Sequence, residues 1–230
     1  MQTAGVTYTD SIYFIVEGPQ IVQDPPNGAI NGINYINDSS VVLVLEAPFK
    51  DFVYVIGEWN NWELDPNFKM NKSQNGEKYW IEINGLVPNV EYMFQYFVDA
   101  SIKIADPYSR KVISEYDQYI PNSVYPGLIP YPHEKTTHAV TVIETNKPEY
   151  NWQTQNFTAP DSRDLVIYEL LIRDFSFRSD YQTVIDSLPH LKKLGINAIQ
   201  LMPIIEFDGL LSWGYAPTFF FAAEKFLSLI

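Results

Sequence analysis

Two apolar stretches joined by one amphipathic helix constrain the fold of this chain more than any other feature. Residues 166–172 and 196–202 are mostly apolar, which is typical of strands buried on both faces of a parallel sheet. Between them, apolar residues recur at helical spacing: Val184, Ile185, Leu188, Leu191 and Leu194. A strand–helix–strand unit crosses over right-handed, so the pattern predicts two parallel strands.

The helix between these strands has a recognisable end. Lys192 and Lys193 fall in its last turn, where cations suit the helix dipole, and Gly195 follows as a stop signal. Pro189 lies inside the helical pattern, where it is expected to kink the helix or to begin its second half.

The second apolar stretch ends at Pro203, and residues 203–217 are predicted to form a loop after a strand end. In barrels of parallel strands the chemistry gathers on such loops. Trp213 and Tyr215 suit sugar binding there, because an aromatic ring stacks on the apolar face of a sugar and tyrosine adds a hydroxyl. The alternative is packing beneath the rim. We favour sugar binding for Tyr215 and leave both options open for Trp213.

Three motifs in this region resemble the first strands and the following loop of the catalytic barrel of the alpha-amylase family of glycoside hydrolases. They are Val166-Ile-Tyr-Glu-Leu with Arg173-Asp-Phe-Ser176, Leu191-Lys-Lys-Leu-Gly-Ile-Asn-Ala-Ile-Gln-Leu-Met-Pro203, and Glu206-Phe207 with Trp213-Gly-Tyr-Ala-Pro217. The resemblance implies the start of a (β/α)8 barrel and a retaining reaction at α-glucosidic bonds. It also implies that Tyr215 lines the pocket for the sugar at the cleaved bond.

No catalytic residue is assigned in this chain. The family places its nucleophile Asp, acid Glu and stabilising Asp after the fourth, fifth and seventh barrel strands, whereas these motifs reach only the second. We therefore expect the 230 residues alone to be inactive. Glu206 and Asp208 resemble a carboxylate pair only superficially, and Glu169 and Glu206 are expected to brace loops or to pair with Arg173.

Residues 29–145 show an all-β pattern with short strands at regular spacing, which predicts a β-sandwich. Residues 41–45 and 52–56 are strand-like, and Asn75-Gly76 is a hairpin signal before a return strand at 79–83. Four apolar residues alternate along another strand: Tyr92, Phe94, Tyr96 and Val98. The region resembles the Ig-like glycogen-binding module that precedes many amylase-family barrels, through Gly57-Glu-Trp-Asn-Asn-Trp62, Tyr96-Phe-Val-Asp99 and Ala105-Asp-Pro-Tyr-Ser109.

Two tryptophans of this module are candidates for substrate binding. The resemblance implies that Trp62 is a sugar platform, with Trp59 a candidate beside it. The alternative is that one or both fill the core of the sandwich. Because the family has a second aromatic residue where this chain has Lys103, a structural, barrel-supporting role is favoured over glucan binding.

The predicted fold class is multi-domain: an all-β Ig-like sandwich followed by the truncated start of a (β/α)8 barrel. Residues 1–28 hold a strand at 11–16 and a linker, as the end of a preceding module or an edge strand of the next. The sandwich spans 29–145, a linker spans 146–160, and the first β/α units span 161–230. Residues 219–230 are mostly apolar and predict the start of a barrel helix or a truncated end.

Composition narrows the classes of partner and cofactor. The chain has 28 acidic and 15 basic residues and no cluster of Lys and Arg, which argues against a nucleic-acid partner, because phosphate binding needs such clusters. Without cysteine there are no disulfides or thiolate metal sites, and His133, His138 and His190 are too scattered for a metal site. No cofactor is evident, although the resemblance allows calcium in longer enzymes. No signal peptide or membrane segment is visible, so the location stays open between cytoplasmic and exported.

The sequence therefore predicts the N-terminal part of an alpha-amylase-family enzyme that acts on α-glucans such as starch, glycogen and maltooligosaccharides. The alternative is a non-catalytic module that binds glucan or serves as a structural support. A weaker third hypothesis is an unrelated α/β enzyme with a similar strand–helix–strand unit. The choice between α-1,4 and α-1,6 bonds, and between hydrolysis and transfer, stays open.

Overall fold

Two antiparallel sheets make up the first part of the protein. The structure, a computed structural model, describes residues 18–209 and 211–227. The strands in chain order are β1 (Gly32–Asn37), β2 (Ser40–Glu46), β3 (Val53–Gly57), β4 (Asn71–Lys72), β5 (Lys78–Asn84), β6 (Glu91–Val98), β7 (Ile102–Ile104), β8 (Val112–Ile113) and β9 (Val140–Glu144). One sheet has the order β1-β2-β5-β4, and the other has the order β3-β6-β9-β8 with β7 paired to β6.

The two sheets share one apolar core, as the period-two pattern predicts. Phe94, Tyr96 and Val98 of β6 are buried in it, and Tyr92 packs against it. The other sheet contributes residues from β2 and β5: Val41, Leu43, Leu45, Tyr79, Ile81 and Ile83. The predicted hairpin is also present, because β4 pairs with β5 across a turn in which Gly76 has a φ of 74°. The mostly β character predicted for this region is confirmed.

The Ala105–Ser109 motif closes this core with a buried carboxylate. Asp106 is fully buried, and its Oδ2 accepts a 2.7 Å hydrogen bond from the Tyr96 hydroxyl. Its Oδ1 accepts from the backbone N–H of Tyr108 at 2.7 Å, and its own N–H donates to Thr141 Oγ1 at 2.6 Å. Burial raises the pKa of Asp106, and the hydrogen bonds from Tyr96 and Tyr108 oppose the rise. The motif therefore serves to hold β6 and β9 to the connection between them.

The second part of the protein has the predicted strand–helix–strand unit. It consists of β10 (Ile167–Leu170), α1 (Ile172–Phe175), α2 (Tyr181–Lys193) and β11 (Ala198–Leu201). The two strands pair in parallel, with Ile167 opposite Ala198 and Leu170 opposite Leu201, which confirms the prediction. Asp180 caps α2 by accepting a 2.6 Å hydrogen bond from the N–H of Thr183, and the helix continues through Pro189.

The prediction that the first strand is buried on both faces is wrong for the part of the chain that the structure describes. Leu170 is buried against Ile172 and Val184, but Val166, Ile167 and Tyr168 are exposed. Three apolar residues of α2 and its C-terminal end are exposed as well: Ile185, Leu188 and Leu194. The physical reason is that, within residues 18–209 and 211–227, no further strand or helix covers these faces.

The chain after Pro203 differs from the prediction of one long loop and a helix. A short strand β12 (Ile205–Phe207) pairs antiparallel with β13 (Pro217–Ala223), and a 3-10 turn follows at Lys225–Leu227. Thr218 and the aromatic run at 219–221 favour an extended conformation, which explains the strand. The predicted strand at 11–16 lies outside the described residues, as do positions 228–230. No described helix has the length and apolar character needed to span a bilayer.

Candidate functional site

The predicted sugar-binding aromatics lie on the connection between β12 and β13. We call residues 211–216 the aromatic loop. Trp213 and Tyr215 are 65% and 63% exposed, so neither ring is packed beneath its neighbours. Of the two alternatives considered from the sequence, the exposed position is the one observed for both residues.

The first attachment of the aromatic loop is Arg173, which lies in α1 shortly after the end of β10. Its Nη1 donates a 2.8 Å hydrogen bond to the backbone carbonyl of Ser212. Its Nε and Nη2 donate to the two carboxylate oxygens of Asp174, at 2.8 and 3.2 Å. The ion pair raises the pKa of Arg173 and lowers that of Asp174. The half-buried guanidinium of Arg173, which is always charged, therefore joins the segment after β10 to the loop.

The second attachment is a close backbone approach at Gly214. This glycine has a φ of 84°, and an added Cβ would lie 2.4 Å from the carbonyl oxygen of Pro203. The N–H of Gly214 donates to Ser212 Oγ at 3.0 Å, which tightens the turn. Because Pro203 follows β11, the loop is held at the carboxyl ends of both parallel strands. Its backbone is thus fixed while its two rings remain in solvent.

The two tryptophans of the sandwich have different surroundings. Trp59 packs into the core, with its ring 6.3 Å from Phe68 and 5.7 Å from Phe94 between centroids. Trp62 packs on a separate cluster that includes Met93 and Tyr131. The structure therefore does not bring them together as one platform. Core packing favours the structural alternative for Trp59, and the sugar-binding role of Trp62 stays a prediction.

The carboxylates near the strand ends make separate contacts. Glu169 accepts a long 3.5 Å hydrogen bond from Gln200 on the neighbouring strand, and Asp174 pairs with Arg173. Glu206 does not pair with Arg173. It contacts the Nζ atom of Lys225, which lies in the mostly apolar stretch 219–230. Among residues 18–209 and 211–227 no group of three or more His, Cys, Asp or Glu is arranged to hold a metal ion.

Comparison with known proteins gives a consistent set of relatives, although no protein-family profile matches the chain. It is 31% identical over 132 residues to the malto-oligosyltrehalose trehalohydrolase of Saccharolobus solfataricus, covering 57% of this chain and 19% of the relative. It is 24% identical over 216 residues to the chloroplastic isoamylase 1 of Arabidopsis thaliana, covering 86% and 25%. It is 26% identical over 230 residues to the 1,4-alpha-glucan branching enzyme of Shewanella frigidimarina, covering 93% and 28%.

Solved structures with a similar fold include two pullulanases. The pullulanase from Bacillus acidopullulyticus has a TM-score of 0.61 at 22% identity, covering 88% of this chain and 26% of that one. The pullulanase from Anoxybacillus sp. LM18-11, solved with maltotriose, has a TM-score of 0.60 at 19% identity, covering 88% and 30%. The chain spans about a quarter of the length of these proteins. In sequence, this chain is similar to trehalohydrolase, isoamylase and branching enzymes of the alpha-amylase family, and in fold it is similar to pullulanases.

Proposed function

We propose that this chain is the N-terminal part of an enzyme that acts on α-glucosidic bonds of starch- or glycogen-type glucans by a retaining mechanism. Residues 29–145 are an Ig-like module, 146–160 a linker and 161–230 the first β/α units of a (β/α)8 barrel. The parallel pair β10 and β11 supports this assignment. So do the exposed apolar faces of β10 and α2, which further barrel strands and helices would cover.

The observation on which the proposal rests is the aromatic loop. Its backbone is fixed to the ends of both parallel strands through Arg173 and Gly214, and its rings are exposed. Preorganisation of this kind reduces the entropy that a ligand must offset on binding. Tyr215 then stacks on a glucose ring and offers its hydroxyl to a sugar oxygen, while Trp213 extends the apolar surface.

The part of the reaction that this chain provides is binding. A retaining glycosidase uses one carboxyl to protonate the leaving oxygen and a second, about 5 Å away, to form a covalent glycosyl intermediate that water then hydrolyses. We assign neither carboxyl to this chain. A sugar held against Tyr215 is oriented for residues on later strands, and the interaction lowers the barrier only where it strengthens in the transition state.

The test is a titration of the 230-residue chain with maltotetraose, followed by tryptophan fluorescence. We expect saturable binding that Tyr215→Ala weakens at least about fivefold, since stacking of a ligand ring on an aromatic side chain contributes about 1–3 kcal/mol. Tyr150→Ala is the matched control, because Tyr150 is an exposed tyrosine on the linker. Equal affinity in wild type and Tyr215→Ala, or turnover of a chromogenic maltooligosaccharide by this chain, contradicts the proposal.

The second candidate function is a non-catalytic module, with the sandwich as structural support or as a glucan-binding unit. Packing between the two parts favours support. Ala222 of β13 is buried against Ala105 and Val112, and the ring of Phe221 stacks on Tyr108 at 5.5 Å. Native electrophoresis in gels that contain glycogen distinguishes these two alternatives, structural support and glucan binding. Retardation that is lost in Trp62→Ala indicates glucan binding by the sandwich, whereas no retardation leaves structural support.

A further inference from the structure

A buried lysine connects three segments: β12, the turn after β13 and the turn Glu115–Tyr119. Lys225 is only 2% exposed, and its Nζ contacts Glu206 Oε1 of β12 and lies 3.5 Å from Asp117 Oδ2. Glu224, next to it in the chain, is also buried. The four groups form what we call the Lys225 cluster.

Asp117 belongs to the sandwich side of this cluster. It lies in the 3-10 turn Glu115–Tyr119, two residues after the end of β8. Its carboxylate accepts hydrogen bonds from the N–H and the hydroxyl of Ser114, at 3.0 and 3.1 Å. These bonds orient the carboxylate of Asp117 independently of Lys225, so its position is fixed by the sandwich side of the cluster.

Glu206 belongs to the loop side. It is the middle residue of β12, and β12 and β13 are the two strands that the aromatic loop joins. Thr218 of β13 donates a 3.3 Å hydrogen bond to the Glu206 carbonyl, which ties the two strands at the base of the loop. A displacement of Glu206 would therefore move the base from which Trp213 and Tyr215 project.

We propose that Lys225 and Asp117 are positioning residues that hold the base of the aromatic loop against the β-sandwich, so that sugar binding at Tyr215 depends on the sandwich. This inference rests on the proposed role of Tyr215. Lys225 provides the link, because its ammonium meets a carboxylate from each side. Through this link the sandwich contributes to glucan binding at Tyr215 although it does not itself contact the sugar.

The charge balance of the Lys225 cluster supports a link that depends on protonation. Asp117, Glu206 and Glu224 are 7%, 6% and 3% exposed, and one ammonium balances only one of three carboxylates. Oε2 of Glu206 and Oε2 of Glu224 are buried without a hydrogen-bond partner. Because burying an uncompensated charge is unfavourable in free energy, protonation of one of these carboxyl groups is expected to lower the free energy of the cluster.

Burial raises the pKa of Glu206 to about 7, Lys225 opposes the rise, and Glu224 and Asp117 add to it. Burial also raises the pKa of Glu224. Other titratable groups face the cluster from neighbouring elements: Tyr181 of α2 near Glu224, and Glu115, His138 and Asp208 along the groove beside Glu206. When the base of the aromatic loop is held against the sandwich, the pKa of Glu206 lies above its ordinary value of 4.5, so this contact takes up a proton. The contact therefore weakens as pH rises from 4.5 to 7 and is constant above pH 7.

The test compares Asp117→Asn and Lys225→Met with wild type in two measurements: maltotetraose affinity, and amide hydrogen exchange of residues 205–223 between pH 5 and 8. Lys147→Met is the control, because Lys147 is an exposed lysine at the start of the linker that forms an ion pair with Glu144 at the end of β9. We expect both cluster variants to weaken maltotetraose binding at least about threefold and to speed exchange of this hairpin. Lys225→Arg, which keeps the cation, restores part of both.

The pH profile distinguishes positioning from a general loss of stability. Asp117 raises the pKa of Glu206 and Lys225 lowers it. Asp117→Asn should therefore lower the pH midpoint at which the amides of residues 205–223 lose their protection against exchange, and Lys225→Met should raise it. Midpoints that do not move apart, or an Asp117→Asn variant with wild-type affinity and exchange, overturn the coupling. Absence of maltotetraose binding in wild type instead refutes the role of Tyr215, and with it the sugar-binding consequence of the coupling.

Discussion

The guanidinium of Arg173 donates a 2.8 Å hydrogen bond to the backbone carbonyl of Ser212, one residue before Trp213. The same side chain is paired with Asp174, so its orientation is fixed from two directions. It joins the exit of the first parallel strand to the loop that presents the aromatic rings. The position of the loop is thus set by Arg173. The motif Arg173-Asp-Phe-Ser176 contains this residue, but no motif indicates that it binds the carbonyl of Ser212.

Arg173→Ala is expected to loosen the aromatic loop. The charge-assisted hydrogen bond contributes about 1.5–3 kcal/mol when buried, and the partly exposed site reduces this, so we expect a three- to tenfold loss of maltotetraose affinity. Amide exchange at residues 212–215 should quicken in parallel. Arg163→Ala is the control, since Arg163 forms an exposed ion pair with Asp161. Unchanged exchange at 212–215 in Arg173→Ala would show that the bond does not hold the loop.

Gly214→Ala tests the second attachment. The substitution combines a left-handed φ of 84° with a Cβ placed 2.4 Å from the Pro203 carbonyl oxygen. We expect it to reduce the free energy of unfolding by about 2–3 kcal/mol or to displace the loop, measured by thermal denaturation and amide exchange. Gly209→Ala is matched, because Gly209 has a φ of 78° and an added Cβ there would meet no atom within 4 Å. Equal effects of both substitutions would exclude a role for the close approach.

Local patterns predicted the elements of this fold better than their long-range partners. The parallel pair β10 and β11, the helix between them and the hairpin at Gly76 follow from periodicities and turn residues within about thirty residues. The strand β13 was missed, because a short apolar run does not distinguish strand from helix by periodicity alone. Its enrichment in aromatic residues was the available signal for a strand.

The partner of Glu206 could not be predicted from the sequence. Lys225 is 19 residues away and Asp117 lies in the turn after β8, so their contact with Glu206 depends on how β13 pairs and how the sandwich packs against it. The exposure of Val166 and Ile167 was also unpredictable, since burial depends on neighbours and not on the apolar run itself. In contrast, the exposure of Tyr215 followed from its position after a strand end.

Tyr96→Phe tests the buried carboxylate of the sandwich. The substitution removes the hydroxyl that donates to Asp106 and leaves a buried carboxylate oxygen without that partner. We expect the free energy of unfolding to fall by about 2–3 kcal/mol in chemical denaturation. Tyr92→Phe is the comparison, because the Tyr92 hydroxyl accepts only one exposed hydrogen bond, from Val87, and its loss should cost less than about 1 kcal/mol. A Tyr96→Phe protein as stable as Tyr92→Phe would show that Asp106 is satisfied without the hydroxyl.

Glu206→Gln isolates the titration of the Lys225 cluster. Burial raises the pKa of Glu206 to about 7 in the folded protein, against an ordinary value of 4.5, so the folded state holds a proton that the unfolded state releases in this range. Its contribution to stability is present below pH 4.5 and is lost as pH rises to 7, up to a limit on the order of 3 kcal/mol. Carboxylates with lowered pKa values, such as Asp99 and Asp180, give the opposite trend.

The informative quantity for this prediction is therefore the difference in unfolding free energy between Glu206→Gln and wild type, measured by urea denaturation from pH 4.5 to 8. Because glutamine does not titrate, the unfolding free energy of the variant minus that of wild type should increase up to about pH 7 and stay constant above it. Glu149→Gln is the control, because it makes the same substitution at an exposed glutamate of the linker. A pH-independent difference for Glu206→Gln would mean that Glu206 is ionised throughout and that Lys225 alone compensates the buried charge.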